Sequence, residues 1–328
     1  MVTIDWSVLL KCRFKDATGI DRKVRFPAGQ DIKIEGDIDN VRIWLSREAV
    51  TANMQGDSAA FEAWALVLKS WCGVKNVEID WESPPAGSNN SDSKACHYRR
   101  FLYRLHHFKD MFYDWFSIVP DAAMSEASFL KSDKLVLNIA GSKSSQAASN
   151  DNSEAALEWR IVRSDKFKKK FELEHLERQL PVGLFDEIVS DKSRVFGGKK
   201  SAIDLFGTDL ERQLWIFELK QSKNIGMGVV SELFFYAFLV RDVLRERIMM
   251  PDGPSLRFSG GVRRAIINCK SVKACFLAPK FHPLLCGGKI LDLLNSATAK
   301  MDWPVSFQMI KISDSGDEIK SEFNECVR

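Results

Sequence analysis

Hydrophobic and polar positions alternate from the start of the chain. In TIDWSVLLKCRF, Ile4, Trp6, Val8, Leu10, Cys12 and Phe14 are separated by mostly polar residues, a period of two that predicts a half-buried strand. The pattern continues in KVRF (23–26), DIKIEG (31–36) and VRIWLS (41–46). A helix is expected over 58–71 (AAFEAWALVLKSWC) and a strand over 77–83 (VEIDWES), which makes this part an α+β unit. The period then changes. In HYRRFLYRLHHFKDMFYDWF (97–116), Phe101, Leu105, Phe108, Phe112 and Trp115 recur at helical spacing, with Arg99, Arg100, Arg104 and His107 elsewhere on the cylinder. Such a charged face is ordinarily solvated; the sharper alternative is contact with a phosphate backbone.

The rest of the chain reads as helix, strands, helix, strand. SDKFKKKFELEHLERQL (164–180) predicts a helix stopped by Pro181, and SRVF (193–196), SAIDLF (201–206) and LWIFELK (214–220) predict strands. A long helix over about 226–247 follows, then VKACFLA (272–278) as strand, KILDLLNSA (289–297) as helix and PVSFQMIKI (304–312) as strand. This order requires an α/β fold with a mixed sheet. Two segments rich in Ser, Asn, Gly and Pro, 83–95 and 141–154, read as loops. The expected organisation is an N-terminal α+β domain over 1–150 and a second domain over 151–328.

Composition narrows the classes without choosing one. A chain of 328 residues with 45% hydrophobic residues can bury a large core, and a formal charge of +3 leaves no bulk electrostatic argument for a polyanion or a membrane surface. The seven cysteines are odd in number and never form CxxC, which argues against a disulfide framework or a zinc site and for reduced thiols in a cytoplasmic protein. MVTIDWSVLL is no signal peptide, and the apolar run 229–240 is too short to span a bilayer and carries Glu232. None of the five histidines has a partner at ligand spacing.

The chemistry concentrates in AIDLFGTDLERQLWIFELKQSKN (202–224), where charges interrupt apolar strands. Residues two apart in a strand share a side, so Glu218 and Lys220 point together and Leu219 points into the opposite layer. Pairing of 201–206 with 214–220 would bring Asp204 beside them. Two carboxylates held close repel, and a buried pair requires a cation between them. Mg²⁺ takes oxygen ligands, commonly one or two carboxylates plus a substrate phosphate. Asp204, Glu218 and the Leu219 carbonyl fit that description, and Lys220 would orient an attacking water and offset charge in the transition state. The bland alternative is an exposed ion pair at a strand end.

Asp204, thirteen intervening residues, and Glu218-Leu219-Lys220 on successive strands followed by a helix resemble the PD-(D/E)xK nuclease superfamily, over about residues 164–312. Ile203 stands where the name-giving Pro would be. The resemblance implies a restriction-endonuclease-like αβββαβ core and Mg²⁺-dependent hydrolysis of DNA phosphodiesters, with Mn²⁺ as a substitute ion, in restriction, repair or phage defence. It further implies a Glu on the first core helix, for which FELEHLE offers Glu174 or Glu177, with Glu174 preferred. Some branches carry Gln-x-x-x-Tyr on the later helix; Glu232-Leu-Phe-Phe-Tyr236 has that spacing with Glu in place of Gln. Cutting both strands from one site per chain would call for a homodimer; a defence-system partner protein is the other expected companion. A catalytically inactive binding scaffold and a ribonuclease remain open. Beside the motif, Lys199 or Lys200 in VFGGKK, and Lys223 with Asn224 before Gly226 and Gly228, are candidate phosphate contacts.

Overall fold

The computed structural model describes residues 4–85, 92–119, 127–138, 153–197, 201–222, 226–251, 260–313, 316 and 318–322. Lys199, Lys200, Lys223 and Asn224 lie outside them, as does most of the loop expected over 141–154.

The chain begins with a helix, α1 (Trp6–Thr18), where the alternating pattern predicts a strand. Its buried residues, Trp6, Leu10 and Phe14, are four apart, so the same even positions satisfy helical spacing; Val8 and Cys12 are exposed. The caps decide the matter. Asp5 accepts a hydrogen bond from the Val8 N–H at 3.0 Å, and Gly19 turns left-handed at φ 71° with its N–H on the Lys15 carbonyl. Next come β1 (Ile32–Gly36), β2 (Asn40–Leu45), the single turn α2 (Arg47–Val50), α3 (Phe61–Val67) running into a π-helical turn at Leu68–Cys72, β3 (Asn76–Trp81), α4 (Ser93–Met111) and β4 (Phe116–Ile118). The four strands form one sheet in the order β1-β2-β3-β4, antiparallel only at the first pair. KVRF carries no strand, although Val24 and Phe26 are buried.

After β5 (Leu135–Leu137) the chain forms α5 (Glu154–Val162), α6 (Asp165–Lys170), β6 (Leu173–Pro181), β7 (Leu184–Asp186), β8 (Arg194–Phe196), β9 (Ala202–Asp209), β10 (Gln213–Leu219) and α7 (Gly228–Leu244). It ends with β11 (Ile248–Met249), α8 (Gly260–Ile267), β12 (Ser271–Ala278), α9 (Lys289–Thr298), β13 (Val305–Ile312) and β14 (Ile319–Glu322). The fold is mixed α/β.

The helix expected over 164–180 stops at Lys170: Glu172 takes φ 51°, and the chain leaves as β6, paired antiparallel with β9. Leu176, Arg178 and Leu180 are buried at a period of two, and ladder bonds to β9 override the helical spacing of the charges. The strand expected at 193–196 forms as β8, but in a small sheet ordered β11-β5-β7-β8. The three strands before α7 in the main sheet are therefore β6, β9 and β10.

That sheet has the order β14-β13-β12-β10-β9-β6, with β10-β12-β13 parallel and the other pairs antiparallel. One face packs Trp215, Phe217 and Leu219 against Phe167 and Phe171 of the α6 region and Leu157 and Ile161 of α5. The opposite face packs Leu214 and Ile216 into a core shared with α7. Helix α7 is mostly apolar and buried at every position but Val229, as its position between the sheet and α3 and α4 demands. Phe234 meets Phe108 and Phe235 meets Tyr103, both edge-to-face, so one core unites residues from Trp6 to Met309. Among the described residues, no helix is long and apolar enough to cross a membrane, and the cysteines are free thiols.

Arg100, Arg104 and His107 of α4 are buried, so the helix carries neither a solvated cationic face nor an open phosphate track at these positions. Arg104 Nη1 donates to Glu62 Oε2 of α3 at 3.0 Å, and the Ser231 hydroxyl of α7 donates to the same oxygen at 2.7 Å. Burial raises the Glu62 carboxyl, and Arg104 and Ser231 pull it back. Removing one member of a buried pair strands the other. Glu62→Ala should therefore destabilise the protein by about 3–5 kcal/mol, read as a lower urea midpoint.

Candidate active site

The β9–β10 turn sets the register on which the site depends. Asp209 accepts the Gln213 N–H at 2.9 Å and the Trp215 indole N–H at 2.6 Å, closing the hairpin. With Leu214 opposite Thr208 and Phe217 opposite Leu205, the next step of the ladder sets Glu218 opposite Asp204. Both follow the α7 face of their strands, after Ile216 and Phe206. A one-residue slip would turn Asp204 into the other core. Asp204 Oδ2 accepts the Leu219 N–H at 2.8 Å, which fixes the carboxylate against the end of β10.

Lys220 follows immediately, its backbone N–H bound to the Leu277 carbonyl of β12 at 2.9 Å. Its Nζ pairs with Glu218 Oε1 and lies 2.9 Å from Glu232 Oε2, so the ammonium joins β10 to α7. Glu232 Oε1 accepts from the Tyr236 hydroxyl at 3.1 Å and from the Gln55 amide at 2.5 Å. A crevice beside Glu218 and Lys220 is walled by Val229, Phe276, Phe281 and His282.

The cluster sets three carboxyl groups around one ammonium. Burial pushes the Asp204 carboxyl well above its ordinary value; Lys220 and the Leu219 N–H pull against this, while Glu158 and Glu232 add to it. Burial also raises Glu218, and the facing Asp204 carboxylate and Glu232 raise it further, with Lys220 opposing. Glu232 behaves oppositely: burial would raise it, but Lys220 and the donors around it hold it below the usual value. Burial lowers and the three carboxylates raise the Lys220 pKa, and the carboxylates win. Lys220 is thus a firmly charged ammonium among acids it cannot neutralise alone.

The structure brings Asp204, Glu218, Lys220, Glu232 and Tyr236 into one cluster and places Leu219 with its N–H on Asp204 and its side chain in the α5–α6 core. It does not bring Glu174 there. That residue is exposed near the Thr208–Asp209 end of β9, about four strand residues or ~13 Å from Asp204. Glu177 is half-buried on the same strand, opposite Phe206. The helix-borne acids that interact electrostatically with the site are instead Glu154 and Glu158 of α5. Glu158 accepts Arg178 Nε and Gln179 Nε2, both at 2.9 Å, while its charge acts on Asp204. Glu154 is raised by burial and feels Lys220 and Glu232. Ser153, the N-cap of α5, with Ala156, Leu157 and Ile161 at helical spacing, is the signal that could have revealed this helix. Nothing in the sequence points to Gln55, which lies 177 residues from its partner.

Buried Glu218 Oε2 has no hydrogen-bond partner. Among the described residues, no group of three or more His, Cys, Asp and Glu side chains is arranged to hold a metal ion. The oxygen set here is smaller, two facing carboxylates at a strand end, and its orphaned oxygen and surplus charge fit a hard divalent cation. The chain matches no family model, no curated protein and no solved structure.

The raised acids have a direct consequence for stability. A carboxyl whose folded pKa lies above its unfolded value stabilises the fold most at low pH and loses that contribution as pH rises through the folded pKa. For Asp204 and Glu218 the loss begins near their ordinary values of 3.8 and 4.5 and extends upward. Asp204→Asn keeps an acceptor for the Leu219 N–H and removes the charge. In EDTA at pH 7 it should be more stable than the parent, with the gain shrinking toward pH 4, as followed by urea melts at each pH.

Proposed function

We propose that the chain is a Mg²⁺-dependent nuclease of the PD-(D/E)xK type that hydrolyses DNA phosphodiester bonds. The observation that carries the reading is the meeting of Asp204, Glu218 and the Lys220 ammonium at one strand end. The order α5–α6, β6, β9, β10, α7, β12 supports it as a restriction-endonuclease-like core. Asp204 and Glu218, with the Leu219 carbonyl, would hold the ion, and Glu158 or Glu154 of α5 takes the helix-borne acidic position first assigned to Glu174. When bound, Mg²⁺ supplies Lewis-acid polarisation of the phosphate and offsets the surplus negative charge.

Lys220 does the remaining work from the protein side. Its charge at the centre of the cluster attracts the substrate phosphate toward a site otherwise rich in carboxylates, and its N–H donors orient the attacking water. Glu232 holds the ammonium from α7, and Tyr236 donates to Glu232 from the next turn. Val229 and Phe276 keep the surroundings apolar, which strengthens each of these charge interactions.

One observation favours a second reading, a nuclease-like scaffold without activity: Lys220 is buried and shared between two carboxylates. Incubating the purified protein with plasmid, linear DNA and RNA in Mg²⁺, Mn²⁺ or EDTA decides between the readings and identifies the sugar. Metal-dependent cutting of DNA is expected. Asp204→Ala and Lys220→Ala should each reduce the rate, per folded molecule as measured by circular dichroism, by about 10²–10³-fold. Glu174→Ala should cut like the parent and Glu158→Ala should not. Unchanged cutting in Lys220→Ala would assign the activity to a contaminant.

A further inference from the structure

We infer that the turn over 53–56 in the N-terminal half completes the candidate active site and that Gln55 is a positioning residue, its amide holding Glu232 and, through Glu232, the Lys220 ammonium. The inference rests on the nuclease reading. Two independent features carry it. The first is the hydrogen bond from the exposed Gln55 to the buried Glu232 at 2.5 Å, the only contribution to the cluster from the first half of the chain among the hydrogen bonds described. The second is the approach of backbones: a Cβ at Gly228, the first residue of α7, would lie 2.1 Å from the Gln55 carbonyl oxygen. The turn therefore rests directly on the helix that carries Glu232 and Tyr236. Glu62, a few residues on, grips the adjacent Ser231.

The chemistry of the contact explains its role. Glu232 and Glu218 compete for one ammonium. The Gln55 N–H and the Tyr236 hydroxyl satisfy one oxygen of Glu232, leaving the other to share Lys220 with Glu218. Without the amide, Glu232 draws Lys220 more strongly and moves it from the strand end where Asp204 and Glu218 face each other. Misplacement of a catalytic group by about 1 Å reduces rate by up to ~10²-fold.

The test compares Gln55→Met, isosteric without a donor, and Gln55→Glu, isosteric and repulsive, with the full-length parent in Mg²⁺ on plasmid DNA. Expected are a kcat lowered about tenfold for Met and about a hundredfold for Glu, KM within about twofold, and urea midpoints lowered, more for Glu than for Met, with both variants folded under the assay conditions. Gly228→Ala, which pushes the turn off α7, should lower kcat in the same direction. A parental kcat in both Gln55 variants, or a kcat that falls only in proportion to lost folding, overturns the proposal. Should the parent cut neither DNA nor RNA, the nuclease reading fails by itself, and a Gln55→Met, Glu232→Met double-mutant cycle of urea midpoints still decides the contact: non-additive shifts support the tie and additive shifts overturn it.

Discussion

A single ammonium, that of Lys220, sits among Asp204, Glu218 and Glu232, and the arrangement of the rest of the molecule serves to keep it there. Buried carboxylates on facing strands repel each other, and an ammonium on the same strand face relieves only part of that repulsion. Such a cluster lowers stability where it stands. It persists because the elements around it leave the side chains no other place: Asp204 is tied to the Leu219 N–H, Lys220 is tied through its backbone to β12, and Glu232 is presented by a helix buried on every side.

Those ties come from all parts of the chain. The hairpin register is set by Asp209, which closes the β9–β10 turn well away from the charges themselves. Helix α7 is held between the sheet and α3 and α4 by aromatic contacts and by the buried Glu62–Arg104–Ser231 network. The small sheet likewise joins β5, from before residue 150, to β7 and β11 from after it. The N-terminal half is thus packed into the support of the site.

The electrostatic character of the cluster agrees with phosphodiester chemistry on physical grounds. Facing carboxylates with a raised affinity for protons also attract a hard cation, and on the proposed reading the Lys220 ammonium beside them would attract a phosphate. On the proposed reading, the repulsion between these carboxylates would be relieved by the ion. The acids of α5, Glu154 and Glu158, extend the negative field, and Arg178 restrains Glu158 by a direct hydrogen bond.

Local signals in the sequence determined the strands β2, β3, β9, β10, β12 and β13, the helices α4, α7 and α9, and the side shared by Glu218 and Lys220, because strand and helix periods act within a few residues. They misassigned α1, whose even-numbered apolar residues satisfy two periods at once, and β6, whose helical charge spacing gave way to pairing with β9. With β6 went Glu174, since the fate of one carboxylate followed the fate of its element. Only the tertiary structure decided that Asp204 faces Glu218, that the charges of Glu154 and Glu158 on α5 act on the site, and that Gln55 reaches Glu232. These contacts join residues far apart in the chain, and their formation depends on how layers pack, which no local period encodes.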